Sequence, residues 1–143
     1  MHTWRVRRLL CIVFVSTYLF VPSLHAGDDE GFRCKVGDLF LRTELFFGLS
    51  RPEGEVTEEE FQQFLAQYIT PRFPDGLTVV TGLGQFRNAS GAIIQERSKL
   101  VILLYPPDQA HASWRIERIR EEYKTLFQQE SVLRADSREC VSF

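Results

Sequence analysis

Hydrophobic and polar positions change period several times along this chain, and each change marks a boundary between elements. Residues 39–49 form a strand-length apolar run, strongest in Glu44-Leu45-Phe46-Phe47-Gly48-Leu49, that stops at the turn cluster Ser50-Arg51-Pro52-Glu53-Gly54. Thr57 opens a helix, because its hydroxyl can accept from the Glu60 N–H while the Glu60 carboxylate reaches back. Val56 and Phe61 stand at the hydrophobic staple positions around that capping box. Phe61, Phe64, Leu65, Tyr68 and Ile69 then recur at the spacing of one buried helical stripe, and Pro71 ends it. After the loop 72–76, residues 77–86 and 92–105 read as two strands joined by the turn residues Asn88-Ala89-Ser90-Gly91. Pro106-Pro107 closes the second of these, and Asp108 is the expected N-cap of a long helix running to about Gln128. Ala112, Ile116, Ile119, Tyr123 and Phe127 make its apolar stripe, with Trp114 off the stripe as a loop-packing or partner-contact residue. A last strand starts at Ser131 and extends toward the final residues.

The order βαββαβ predicts a ferredoxin-like α+β fold, a four-stranded antiparallel sheet with two helices on one face. In that plan the last strand lies antiparallel beside the first, so the start of the first meets the end of the last. Cys34 and Cys140 fall at those two places. One face of such a sheet meets water, and its strands should alternate apolar with polar. Leu100-Val101-Ile102-Leu103-Leu104-Tyr105 and Leu45-Phe46-Phe47, on the two inner strands, do not alternate. Apolar side chains must therefore also point to the helix-free face, which wants a cover: a second subunit forming a dimeric α/β barrel, the chain's own leader, or a ligand.

The N-terminus changes the compartment. Arg5, Arg7 and Arg8 precede an apolar run over residues 9–21, followed by Pro22 and the small-residue end at Ala26, the pattern of a secretory signal peptide over residues 1–26. The run is shorter than the ~20 residues of a membrane span, so a retained N-terminal anchor is the lesser expectation and a periplasmic or secreted protein without a stable span the greater. Residues 27–37 would then be a mobile leader and residues 38–143 a single domain. Cleavage leaves 14 basic and 19 acidic side chains with no basic cluster, which disfavours nucleic acid. It also removes Cys11, leaving Cys34 and Cys140 as an even pair in an oxidising compartment, expected to be a disulfide. A single remaining histidine, His111, and no close cysteine pair predict no metal site. Gly82-Leu83-Gly84 is a lone GxG inside a strand with no helix after it, so no cofactor is expected and the glycines read as a bulge or a close backbone approach. Asn88-Ala89-Ser90 matches a glycosylation acceptor, but a hairpin turn explains the same three residues.

Several separate segments resemble one family: residues 44–49, 70–79 and 84–86, then Glu96-Arg97-Ser98-Lys99, Tyr123, residues 129–134 and the ending Cys140-Val141-Ser142-Phe143. They are similar to the bacterial domain-of-unknown-function family 3574 over nearly all of the chain after residue 26. The resemblance implies a small exported bacterial protein; some members are lipoproteins. Cys11 lies close behind the arginines, at the start of the apolar run rather than after it, and is badly placed to carry a lipid. The family brings no catalytic residues to carry over.

Polar residues embedded in the apolar strands are the candidate ligand-binding set: Glu44, Gln85, Glu96 and Lys99, with Arg72 in the adjoining loop. Strand alternation puts Lys99 on the face opposite Glu96. A salt-bridged sheet rim accounts for the same residues structurally. Functionally they could form a small polar site with a carboxylate able to orient or deprotonate a ligand. No nucleophile motif accompanies His111. Two functions follow: a non-catalytic envelope module that binds a small molecule or a protein through the helix-free face, and a cofactor-independent isomerase or oxygenase using Glu44 or Glu96 as base.

Overall fold

A computed structural model describes residues 31–143; the expected signal peptide and the first residues of the leader lie outside the described residues. The elements are β1 (Asp38–Gly48), the two-residue strands β2 (Ser50–Arg51) and β3 (Gly54–Glu55), α1 (Glu58–Phe64), β4 (Leu77–Arg87), β5 (Ile93–Tyr105), α2 (Ala112–Phe127) and β6 (Leu133–Val141). The four long strands form one antiparallel sheet in the order β4-β5-β1-β6, the ferredoxin-like arrangement the element order predicts. The expected turn cluster after β1 forms the small β2–β3 hairpin.

Local chemistry sets the boundaries. The Thr57 hydroxyl accepts from Glu60 N–H (3.2 Å) and the Glu60 carboxylate from Thr57 N–H (2.8 Å), the reciprocal cap that starts α1. The helix continues as a π-helical turn over Leu65–Ile69, closed by Thr70 N–H donating to the Leu65 carbonyl (2.9 Å), which leaves Ile69 buried and Leu65 and Tyr68 half-buried. Asn88 builds the β4–β5 turn, its side-chain oxygen accepting from Ala92 N–H and the Ser90 hydroxyl. The start of α2 differs from expectation. Asp108 is not its cap: turns close from Gln109 N–H to the Pro106 carbonyl and from Ala112 N–H to the Gln109 carbonyl. The left-handed residue His111 (φ 59°) then precedes the first helical residue. Gly82 and Gly84 form no bulge, since β4 pairs with β5 in unbroken register from Leu77 to Arg87.

The core lies between the helices and the odd-numbered side chains of the inner strands. Leu45, Phe47, Val101 and Leu103 are sealed against the α2 stripe Ile116, Ile119 and Tyr123 and against Phe61 and Phe64 of α1. Phe47 sits at the centre of an aromatic cluster, 4.6 Å from Tyr123 and about 6 Å from Phe61 and Phe64, in edge-to-face geometry. Thr43, fully buried, donates its hydroxyl to Asp136 Oδ1 (2.5 Å) and receives that of Tyr105 (2.9 Å), so no polar atom of this trio goes unpaired. At the far edge, Cys34 and Cys140 form a disulfide with Cα atoms 5.4 Å apart, beside the Leu39–Cys140 pairing of β1 and β6. No helix among the described residues is long and apolar enough to cross a membrane.

Candidate functional site

The register divides the sheet into two surfaces. Even-numbered residues of β1, β4 and β5 and odd-numbered residues of β6 point away from the helices: Phe46 is paired with Leu100 on one side and Leu133 on the other, and Val80 is paired with Leu100. Phe46, Leu100 and Ile102 are half-buried there, while Val80, Leu104 and Leu133 are exposed. The helix-free surface therefore carries an apolar centre, Phe46, Leu100 and Ile102, bordered on the same strands by Arg42 and Glu44 of β1 and by Glu96 and Ser98 of β5.

At the end of this surface away from the disulfide, a pocket of about 180 Å³ opens beside Gly48. Phe46, Phe86 and Leu133 supply its apolar lining; Glu96, Ser98 and the segment Gln129-Glu130-Ser131 supply its polar lining. The backbone beneath it is held from several directions. The Tyr123 hydroxyl donates to the Gly48 carbonyl (2.8 Å), Leu49 N–H donates to the Arg97 carbonyl (3.0 Å), and Ser50 N–H donates to Glu96 Oε2 (2.9 Å). The Gln129 side-chain amide donates to the Ser50 carbonyl. Burial, helped by the Glu96 charge, pushes the Tyr123 hydroxyl well above the ordinary tyrosine range, so it stays protonated and keeps donating to Gly48. Gly48 leaves room for the Glu96 carboxylate: a Cβ there would stand 2.4 Å from Glu96 Oε1 and would push that side-chain end aside.

Of the five sequence-derived candidates, the fold brings together Glu96 and Gln85, which both line the pocket. Glu44 lies on the same surface but forms an ion pair with Arg42, and it is registered with Ile102, six residues along β5 from Glu96 and so about 20 Å away. Lys99 lies on the opposite surface, as strand alternation requires. It is 4 % exposed and donates to Glu58 (2.6 Å) and Thr81 (2.9 Å), with its ammonium 5.6 Å from the centre of the Phe61 ring. Arg72 ties the loop after α1 to α2, donating to the Tyr68 carbonyl and pairing with Glu122 (3.1 Å). Lys99 thus holds α1 against the sheet, and Arg72 joins the end of α1 to α2. Sequence reasoning missed Phe86, Leu133 and Glu130 as lining residues. Counting pairing partners outward from Phe46 would have found Leu133, but only once the register was fixed. Trp114 is 63 % exposed at the first turn of α2, away from the pocket.

A ferredoxin-like sheet with one covered and one apolar open face, and a pocket at the end of the open one, defines the class of this molecule. The family model described as "Protein of unknown function (DUF3574)" matches residues 42–143, and the chain belongs to that family. No curated protein matches it in sequence. Among solved structures, it is similar to a phage SAM lyase in complex with S-methyl-5'-thioadenosine, at TM-score 0.59 and 17% identity over 75% of this chain and 87% of that one. The same lyase in its apo state gives 0.56 and 17% over 76% and 87%. CutA from Synechococcus elongatus gives 0.48 and 12% over 73% and 81%. At these identities the likeness to the lyase is one of fold.

Proposed function

We propose that this domain is an exported, non-catalytic binding module whose working surface is the helix-free face of the sheet. The observation that carries the reading is the apolar lining of that face: Phe46, Leu100 and Ile102 lie uncovered by any helix, beside exposed Val80, Leu104 and Leu133. Its extent fits a second copy of the chain. Eleven residues of β1 at ~3.4 Å each, across four strands ~4.8 Å apart, give roughly 700 Å², close to the ~800 Å² that each partner contributes to a stable interface. In the dimer, the pocket beside Gly48 lies at the margin of the covered face and offers a site to a small molecule. Export is supported by the N-terminal pattern and by the Cys34–Cys140 disulfide, which persists in oxidising compartments.

Native mass spectrometry of the protein isolated from the exported fraction tests this directly. The expected species is a dimer lacking residues 1–26, and a monomer retaining the N-terminus would refute the reading.

One observation favours a second reading, that of an enzyme. Glu96 places a carboxylate in the pocket, and the solved structure similar in fold at TM-score 0.59 is a lyase. On that reading Glu96 is the base of a cofactor-independent reaction such as an isomerisation. Glu96→Gln would then abolish turnover while leaving ligand affinity nearly intact, whereas a binding module loses affinity alone.

A further inference from the structure

We infer that the pocket beside Gly48 takes a small organic cation, an amine or sulfonium on an aliphatic or single-ring body. The inference deepens the reading of the helix-free face as a binding surface and rests on it. The charged side chains that line the pocket are Glu96 and Glu130, with no lysine or arginine among them. The hydrogen bonds of both carboxylates leave an acceptor over: Glu96 uses Oε2 on Ser50 N–H (2.9 Å) and Glu130 uses Oε2 on Ala89 N–H (3.3 Å), while Oε1 of each has no hydrogen-bond partner among the described residues. Glu96 Oε1 stands over the bare Cα of Gly48, in space that any side chain would fill.

The remaining walls complete the chemistry. Phe46, Phe86 and Leu133 offer apolar surface for a hydrocarbon body, and aromatic faces attract cations in addition. An anion would meet two carboxylates and no countercharge, so the site discriminates by sign. At about 180 Å³ it is smaller than the ~300 Å³ typical of the lower end of drug-sized sites, which limits the enclosed body to about one ring. Its floor is fixed before any ligand arrives. Tyr123, Glu96 and Gln129 each hold the main chain between Gly48 and Ser50, which lowers the ordering cost of binding.

Titration calorimetry at low ionic strength with 2-phenylethylamine, 2-phenylethanol and 3-phenylpropionate tests the inference on the full folded domain. The amine should bind at least tenfold more tightly than the neutral alcohol, and the carboxylate should give no heat. Glu96→Gln, whose amide oxygen still accepts from Ser50 N–H, should weaken the amine at least tenfold. Glu130→Gln should weaken it less, and added salt should weaken it further. Equal affinity for amine and alcohol, or amine binding that survives the double substitution, would overturn the cation assignment while leaving the pocket as a neutral apolar site. No heat from any of the three would remove the pocket as a small-molecule site; the dimer is judged separately by mass.

Discussion

Neighbouring residues of β1 meet opposite fates on the two faces of one sheet. Leu45 and Phe47 have no exposed surface beneath the helices, whereas Phe46 between them is half-buried under nothing. The same contrast recurs on β5, where Val101 and Leu103 are sealed and Leu100 and Ile102 are not. Chemically the two sets are alike, so composition does not distinguish core from open face. What distinguishes them is whether a helix happens to pack above. The lesson is that an inner strand that fails to alternate has two hydrophobic obligations, and one chain discharges only one of them.

The sharpest way to break this comparison is to truncate each side in turn. Phe47→Ala removes the centre of the aromatic cluster and should cost about 3–5 kcal/mol, read as a shift in urea midpoint. Phe46→Ala, measured at concentrations where the protein is monomeric, should cost clearly less than Phe47→Ala, because part of the Phe46 ring is open to solvent whereas Phe47 has no exposed surface. Equal costs would mean that the open face is a true core, and the contrast would be gone. Next in size is the covalent tie at the opposite end of the sheet from the pocket. Cys34→Ser with Cys140→Ser should lower stability by about 2–4 kcal/mol, since the bond closes a long loop; unchanged stability under reducing conditions would show that the thiols are not joined.

Most of the covered face was legible in advance. The α2 stripe Ala112, Ile116, Ile119, Tyr123 and Phe127 is buried as its spacing predicts, and the Thr57 capping box forms as written. The placement of Cys34 beside Cys140 follows from element order alone. What was not legible depended on register and on local backbone choice. Lys99 reads in sequence as either a ligand group or a structural ion pair, and which partners it has is not written there: nothing in the chain announces that Glu58 and Thr81 converge on it as a buried anchor for α1. Asp108 reads as a helix cap, yet the turns around Gln109 and His111 delay the helix to Ala112. Gln85 and Glu96 are joined by the β4–β5 pairing, while Glu44 and Arg72 are carried elsewhere by theirs.

A smaller effect sharpens the covered side. The hydrogen bond from the Lys99 ammonium holds the Glu58 carboxyl below its ordinary range, with Gln62 assisting. A depressed carboxyl contributes stability above its unfolded pKa of ~4.3, and that contribution is lost as pH falls through the lower folded value. Glu58 is half exposed, so solvent screening limits the pair to about 1 kcal/mol. Thermal midpoints of the parent and Glu58→Gln should therefore differ at pH 7 and converge below about pH 4. A difference that persists undiminished in acid would assign the effect to something other than the ion pair. The smallest expected effect belongs to the open side. Gly48→Ala meets only the movable end of Glu96, so stability should change by under about 1 kcal/mol while amine binding in the pocket falls.

The most direct test of the claim that a second copy covers the helix-free face is sedimentation equilibrium of the domain beside its Val80→Glu variant. Val80 is 45 % exposed on the helix-free face, so the substitution leaves the core untouched. The account predicts twice the chain mass for the parent and a folded monomer for the variant, with circular dichroism unchanged. A parent that sediments as a monomer at tens of micromolar, or a variant that dimerises as well as the parent, would contradict it.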